Sequence, residues 1–209
     1  MPDKKYEIIN RETLFQGYFR IDRYRLRQER FAGGWSGPFT REVFERGGRV
    51  AAVLPFDPKS DKLVMIEQFR AGIMAGGEHP WITEIVAGTL DSGERPEEAA
   101  RRETREETGC EVAELQLIAD YYASPGGSSE HVSLYAGRIT APEDGVLRGL
   151  AHEHEDIRVR VIEATAAINL LYSGKIRDAL TLIAMQWFAM HHTDLRSRWL
   201  MSDVGTPII

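Results

Sequence analysis

Three carboxylates, Glu103, Glu106 and Glu107, fall within about one turn of residues 96–108, and this spacing constrains the chain more than any other feature. Glu103 and Glu107 are four apart and share a helical face, with Glu106 beside them. Like charges at this spacing destabilise a helix. The crowding makes sense if a cation sits among them, and hard divalent ions such as Mg²⁺ take oxygen ligands of this kind. Pro96 suits the first helical turn, Gly109 suits the residue after the last, and a loop holding Gly88 and Gly93 comes before. The alternative is a solvated charged face, in which Glu97–Arg101, Glu98–Arg102 and Arg102–Glu106 act as i,i+4 pairs worth about 0.2–0.5 kcal/mol each. That reading leaves Glu103 opposing Glu107 unexplained, and Ala99, Ala100 and Thr104 supply only a thin apolar stripe. Glu94 is placed to tie the preceding loop to the helix by accepting a hydrogen bond.

The remaining chain reads as a mixed α/β protein. With 209 residues it is long enough for one sizeable core plus a small extra element. Residues 18–27 and 39–46 alternate apolar and charged side chains around a Gly-rich turn, the period of a half-buried strand. They predict a small antiparallel sheet of up to three strands, which is marginal unless it packs on its own main domain or on a second subunit. Strands are expected at 50–56, 62–70, 81–87, 114–123, 130–140 and 157–162, and helices at 96–108, 163–172 and 178–192, with loops at 71–80 and 141–156. In the last helix Leu180, Ile183, Ala184, Trp187, Phe188 and His191 recur at helical spacing and predict its packed face. The order predicts a mixed sheet sandwiched between helices, divided as an N-terminal sheet over 1–48 and a main domain over 49–209. There is neither a dinucleotide-type glycine fingerprint nor a phosphate loop ending in Gly-Lys-Ser/Thr.

The net charge of −6 gives no sign of bulk nucleic-acid binding, so an anionic substrate would be drawn in by local arginines and metal ions. One cysteine, Cys110, excludes an intrachain disulfide and points to a reducing compartment. No apolar run predicts a membrane span or a signal peptide, and the cytoplasm is the expected location. Arg70 ends a strand, and its planar fork suits phosphate. His152 and His154, two apart in a polar run with Glu153 and Glu155, raise zinc as an alternative, but no third histidine or cysteine stands near in sequence. Gly126 and Gly127 would let backbone N–H groups approach a ligand.

Gly88, Glu94 and the run Arg102-Glu103-Thr104-Arg105-Glu106-Glu107-Thr108-Gly109-Cys110 together resemble the signature box of the Nudix hydrolases. Every fixed Gly, Glu and Arg of the box stands at its spacing, and Thr104 departs from the usual aliphatic residue. Pro125, fifteen residues past Cys110, resembles the downstream proline of the ADP-ribose pyrophosphatase branch. The resemblance implies a Nudix α/β/α sandwich preceded by an N-terminal sheet exchanged in a homodimer. It implies Mg²⁺-dependent hydrolysis of ADP-ribose, a nucleotide sugar, to AMP and ribose 5-phosphate, with Mn²⁺ as a substitute ion. Glu103, Glu107, Glu155 and the carbonyl of Ala87 would hold metal. Glu153 and Glu106 would be catalytic, Glu153 as general base, although Glu153 and Glu155 are exchangeable in these roles. Tyr18, Arg41, Glu42, Arg70, Gly127 and Glu130 would bind substrate. The alternatives are a pyrophosphatase for other nucleotide sugars or dinucleotides, and a non-catalytic nucleotide-binding module.

Overall fold

The computed structural model describes residues 4–150, 152 and 154–203. The chain forms two compact units, one reaching to Arg49 and also including Tyr121–His131, the other made of Val50–Asp120 and the chain from Val132 onward.

The first unit carries an antiparallel sheet of β1 (Tyr6–Gln16), β2 (Arg20–Gln28) and β3 (Phe39–Glu45), with β2 in the centre. The alternating segments at 18–27 and 39–46 become β2 and β3. Strand β1 lacks such strict alternation, and its residues are exposed throughout. Asp22 is the buried charge of this sheet, receiving hydrogen bonds from Arg11 Nη2 (2.5 Å), Thr13 Oγ1 (2.8 Å) and Arg20 Nε (2.9 Å). This satisfies a carboxylate that water no longer reaches.

The second unit is built from β4 (Val50–Asp57), β5 (Lys62–Phe69), a short α1 (Ala71–Ala75), β6 (Trp81–Glu84), β7 (Val86–Thr89), α2 (Pro96–Thr108), β8 (Glu114–Tyr122), β9 (His131–Arg138), β10 (Leu147–Arg148), β11 (Ile157–Glu163), α3 (Ala164–Tyr172) and α4 (Ala179–Asp203). Its sheet runs β10-β11-β5-β4-β9-β8, with β6 paired to β5 and β7 to β4. Strand β4 is parallel to β9 and antiparallel to β5 and β7, so the sheet is mixed. Every residue of β4 is buried, because both faces of the strand are covered. Ala51 and Val53 pack beneath Ala99 and Ala100 of α2. On the other face Phe56 meets Phe188 (5.1 Å between ring centroids) and Trp199 (6.1 Å) of α4. Helices on both faces of the mixed sheet make the expected α/β/α sandwich.

Three departures from the sequence reading have physical causes. The expected strand at 81–87 breaks at Ile85, where the chain leaves β5 for β4; there Ile85 N–H donates to Thr181 Oγ1 of α4 (2.9 Å). The loop at 71–80 contains α1, whose first turn is closed by Ile73 N–H and Met74 N–H on the Arg70 carbonyl. Helix α4 runs eleven residues past His192, and its buried face is Thr181, Ala184, Met185, Phe188, Leu195 and Trp199. His191 is exposed and Trp187 half-buried, so the packed stripe lies about one residue round from the predicted one. The extension is held by His192 Nε2 on Asp61 Oδ1 (2.6 Å), Arg196 Nε on Pro58 O (2.9 Å) and Trp199 Nε1 on Glu114 Oε1 (3.0 Å). Its polar residues had masked the packing spacing.

Trp199→Ala removes a fully buried indole from this face and should cost about 3–5 kcal/mol in chemical denaturation. A loss below about 1 kcal/mol would mean that the last turns of α4 do not contribute to the core.

Candidate metal and phosphate site

Helix α2 is fixed before its acidic face is considered. At its start the Arg95 N–H donates to Glu98 Oε2 (3.0 Å), and at its end Gly109, with φ +76°, closes on Arg105 O (2.9 Å). Thr104 is fully buried, and its hydroxyl donates to Ala100 O (2.7 Å), so the residue that departs from the box pattern satisfies itself within the helix.

Arg102 organises the acidic residues. Its Nε and Nη2 grip both oxygens of Glu94 (3.0 and 2.9 Å), and Nη2 also donates to Thr89 O (3.1 Å). Its Nη1 donates to Glu103 Oε1 (2.7 Å) and Glu106 Oε2 (3.2 Å). Hydrogen bonding from Arg102 holds Glu94 below the usual carboxylate range. Glu94 accepts the Asp91 N–H as well (2.9 Å), which confirms its expected task of tying loop to helix. The expected Glu98–Arg102 pair gives way to Arg95–Glu98 (2.8 Å), because capping the helix start and organising the loop claim the two side chains separately. Arg101 donates to the Val112 carbonyl.

Glu103 and Glu107 face β7. The Glu103 carboxylate lies directly against Gly88, where any Cβ would collide with it. Glu107 is 2% exposed, and its Oε2 accepts the Ala87 N–H (3.3 Å). Burial pushes Glu107 well above the usual carboxylate range, and Glu103, Glu155 and Glu84 push it further, against the pull of Arg70. Burial also raises Glu103, with Glu106 and Glu155 adding to the effect and Arg102 opposing it. Glu155 reaches this group from the loop before β11. Its Oε2 accepts the Leu150 N–H (3.2 Å), its own N–H donates to Leu150 O (3.3 Å), and Gly149, with φ +100°, packs against it where a side chain would clash.

Glu103 and Glu107 are oxygen donors that repel each other and that burial has stripped of water, the environment a hard divalent cation relieves. The chemistry of Glu103 and Glu107 therefore fits magnesium, with Glu155 and the Ala87 backbone beside them. Among the described residues, no three His, Cys, Asp or Glu side chains already converge as a closed cage. Glu153, the expected general base, lies outside the described residues. Glu106 stands at the edge of the group on Arg102.

Arg70, at the junction of β5 and α1, donates from Nε to Glu84 Oε1 (2.6 Å). Glu84 was not singled out from sequence. It is 6% exposed, and burial pushes it up to about 7, with Asp178 adding and Arg70 opposing. The available signal was an acidic residue inside the apolar run Trp81-Ile-Thr-Glu-Ile-Val.

The other expected substrate residues belong to the first unit. Tyr18 is 93% exposed, edge-on to Phe19. Arg41 lies over the Phe39 ring and donates to Thr40 O (2.8 Å). Glu42 accepts from Arg23 (2.9 Å) and Glu130 from Arg46 (2.8 Å). Gly127 departs from expectation: its N–H is held by Ser124 O (3.2 Å) and its carbonyl by Phe44 N–H (2.8 Å), so its backbone closes a turn and its N–H is not left free for a ligand.

Gly88→Ala should displace the Glu103 carboxylate and weaken Mn²⁺ binding at least tenfold in calorimetry, with helix content unchanged by circular dichroism. Wild-type affinity in this variant would remove Glu103 from the ligand set.

The sequence and fold agree with known proteins. The NUDIX domain model matches residues 46–180. The chain is 44% identical to an ADP-ribose pyrophosphatase of Escherichia coli (strain K12), over 92% of each protein. It is 36% identical to an ADP-ribose pyrophosphatase of Haemophilus influenzae, over 94% of this chain and 91% of that one. A crystal structure of an ADP compounds hydrolase superposes with a TM-score of 0.67 at 18% identity, covering 91% of this chain and 96% of that one, a likeness of fold. The chain belongs to the Nudix family, in the branch that contains the ADP-ribose pyrophosphatases.

Proposed function

We propose that this protein is a magnesium-dependent hydrolase that cleaves the diphosphate of ADP-ribose to AMP and ribose 5-phosphate. The observation that carries this reading is the Glu103–Glu107 pair, desolvated against Ala87 and Gly88 and held in register by Arg102. Similarity to ADP-ribose pyrophosphatases over nine-tenths of the chain supports the substrate. Magnesium held there would supply charge neutralisation for the phosphoryl oxygens and would lower the pKa of a water.

The chain's own residues divide the remaining work. Glu103 and Glu107, with Glu155 and the Ala87 carbonyl, fix where the cation sits. Either Glu153 or Glu155 removes the proton of the attacking water. Glu106, bonded to Arg102, supports Glu103 from the side. Arg70 supplies N–H donors to the diphosphate, and Tyr18, Arg41, Glu42 and Glu130 contact the rest of the substrate.

The working form in this reading is a cytoplasmic homodimer in which the N-terminal sheet is exchanged. Tyr6, Ile8, Phe15 and Phe31 are all more than half exposed, much apolar surface for a small sheet to leave in water. A second copy of the chain would cover it. The lone cysteine, Cys110, is buried and free, consistent with a reducing compartment. Among the described residues no helix is long and apolar enough to cross a membrane.

A hydrolysis screen over ADP-ribose, ADP-glucose, GDP-mannose and NADH should give the highest kcat/KM for ADP-ribose; a tenfold preference for another substrate would overturn the assignment. Glu107→Gln should cut kcat at least 100-fold in saturating Mg²⁺ without unfolding, because the amide keeps the size and shape of the side chain and removes its charge. Near-normal turnover would defeat the ligand assignment. Deleting residues 1–48 should give monomers that bind ADP-ribose poorly, and a dimer unchanged in sedimentation would rule out the exchanged sheet.

A further inference from the structure

Glu84 is a buried carboxylate that the metal-binding reading does not use. It ends β6, paired across to Ile66 of β5, and the next residue is anchored to α4 through Thr181. Its backbone is therefore fixed from two sides. Its side chain bonds to Arg70 by the single Nε edge of the guanidinium (2.6 Å). The pair is lopsided in exposure: the Glu84 side chain is 8% exposed, that of Arg70 41%.

A guanidinium has five N–H donors, and one on Nε bonded to Glu84 leaves the four on the terminal nitrogens for other partners. Arg70 is also near enough to Glu107 to oppose the rise of its pKa. The backbone of Arg70 is held too: its N–H donates to Pro80 O (2.9 Å) and its carbonyl caps α1. Burying a carboxylate against one half-exposed arginine is a poor source of stability, since desolvation offsets most of the attraction. It does remove rotational freedom from a long cationic side chain.

We infer that Glu84 is a positioning residue, holding the Arg70 guanidinium by its Nε edge so that the two terminal nitrogens face the substrate diphosphate. This rests on the proposed function and deepens it. In this inference Glu84 acts through Arg70, besides the repulsion it adds at Glu107. A flexible arginine would lose conformational entropy on engaging the phosphates, and an arginine already fixed has lost it on folding.

The test is a double-mutant cycle, assayed with whichever diphosphate the wild type turns over best, so that a wrong substrate assignment does not obscure it. Glu84→Ala should lower kcat/KM at least tenfold, mainly through KM. Glu84→Gln, which keeps an oxygen acceptor for Nε, should restore most of that loss. In an Arg70→Ala background, Glu84→Ala should cause no further fall. Should Glu84→Ala fail to fold, Glu84→Asp, with its shorter reach, replaces it in the cycle. Additive losses, or wild-type kinetics for Glu84→Ala beside an impaired Arg70→Ala, would overturn the inference. A neutral Arg70→Ala would overturn it together with the phosphate role of Arg70, leaving the metal-site reading intact.

Discussion

Arg102 bonds at once to Glu94, Glu103, Glu106 and the Thr89 carbonyl, and the geometry of the site descends from that one guanidinium. Its five donors in a rigid plane suit it to join a loop, a strand end and a helix face at fixed distances. A lysine would supply charge without the fork. Because Arg102 takes one oxygen of Glu103, the carboxylate lies down against Gly88, and because Gly88 has no side chain, there is room for it to do so. The signature box is thus a single piece of packing, with each fixed residue accommodating another.

That packing works against the ordinary preferences of ions. Glu107 is buried beside Glu103, with Glu155 and Glu84 contributing further repulsion. Arginine is held at the margins of this group: Arg102 on the outer edge of the helix and Arg70 against Glu84. Folding thereby concentrates carboxylates at the site proposed for the cation, and the apolar support of α2 by Ala51, Val53 and Val86 holds the helix against their repulsion. Small residues at Ala99 and Ala100 let the helix approach the sheet closely enough for the acidic face to reach Ala87 and Gly88.

The N-terminal sheet follows a different economy. Its buried charge, Asp22, is fully satisfied by Arg11, Thr13 and Arg20, while Tyr6, Ile8, Ile9, Leu14 and Phe15 of β1 remain exposed. Its buried charge is locally satisfied and its apolar surface is left exposed, the observation behind the proposed homodimer.

The carboxylate helix, its caps, most of the strand segments and the family were legible in the amino-acid sequence, because helical spacing, glycine at a left-handed cap and alternation of polarity are local properties of the backbone. The link from Glu94 to the helix was legible for the same reason. Of the partners of Arg102, helical spacing gives Glu106, which the structure keeps, and Glu98, which pairs with Arg95 instead; only folding shows that Arg102 is the helix donor to Glu94 and brings Thr89 to it. The far end of α4 was hidden because Leu195 and Trp199 stand among polar residues, and their burial comes from the sheet they pack on. Glycine at 127 suggests open backbone, yet Ser124 O of the same turn takes its N–H and Phe44 N–H of β3 its carbonyl. The role of Glu84 is not legible locally, because it depends on Arg70, fourteen residues away. Sequence determined which chemistry is present, since residue type and spacing set it; tertiary structure alone decided which charges lose water and which partners they meet, since both depend on contacts between segments that local periodicity does not encode.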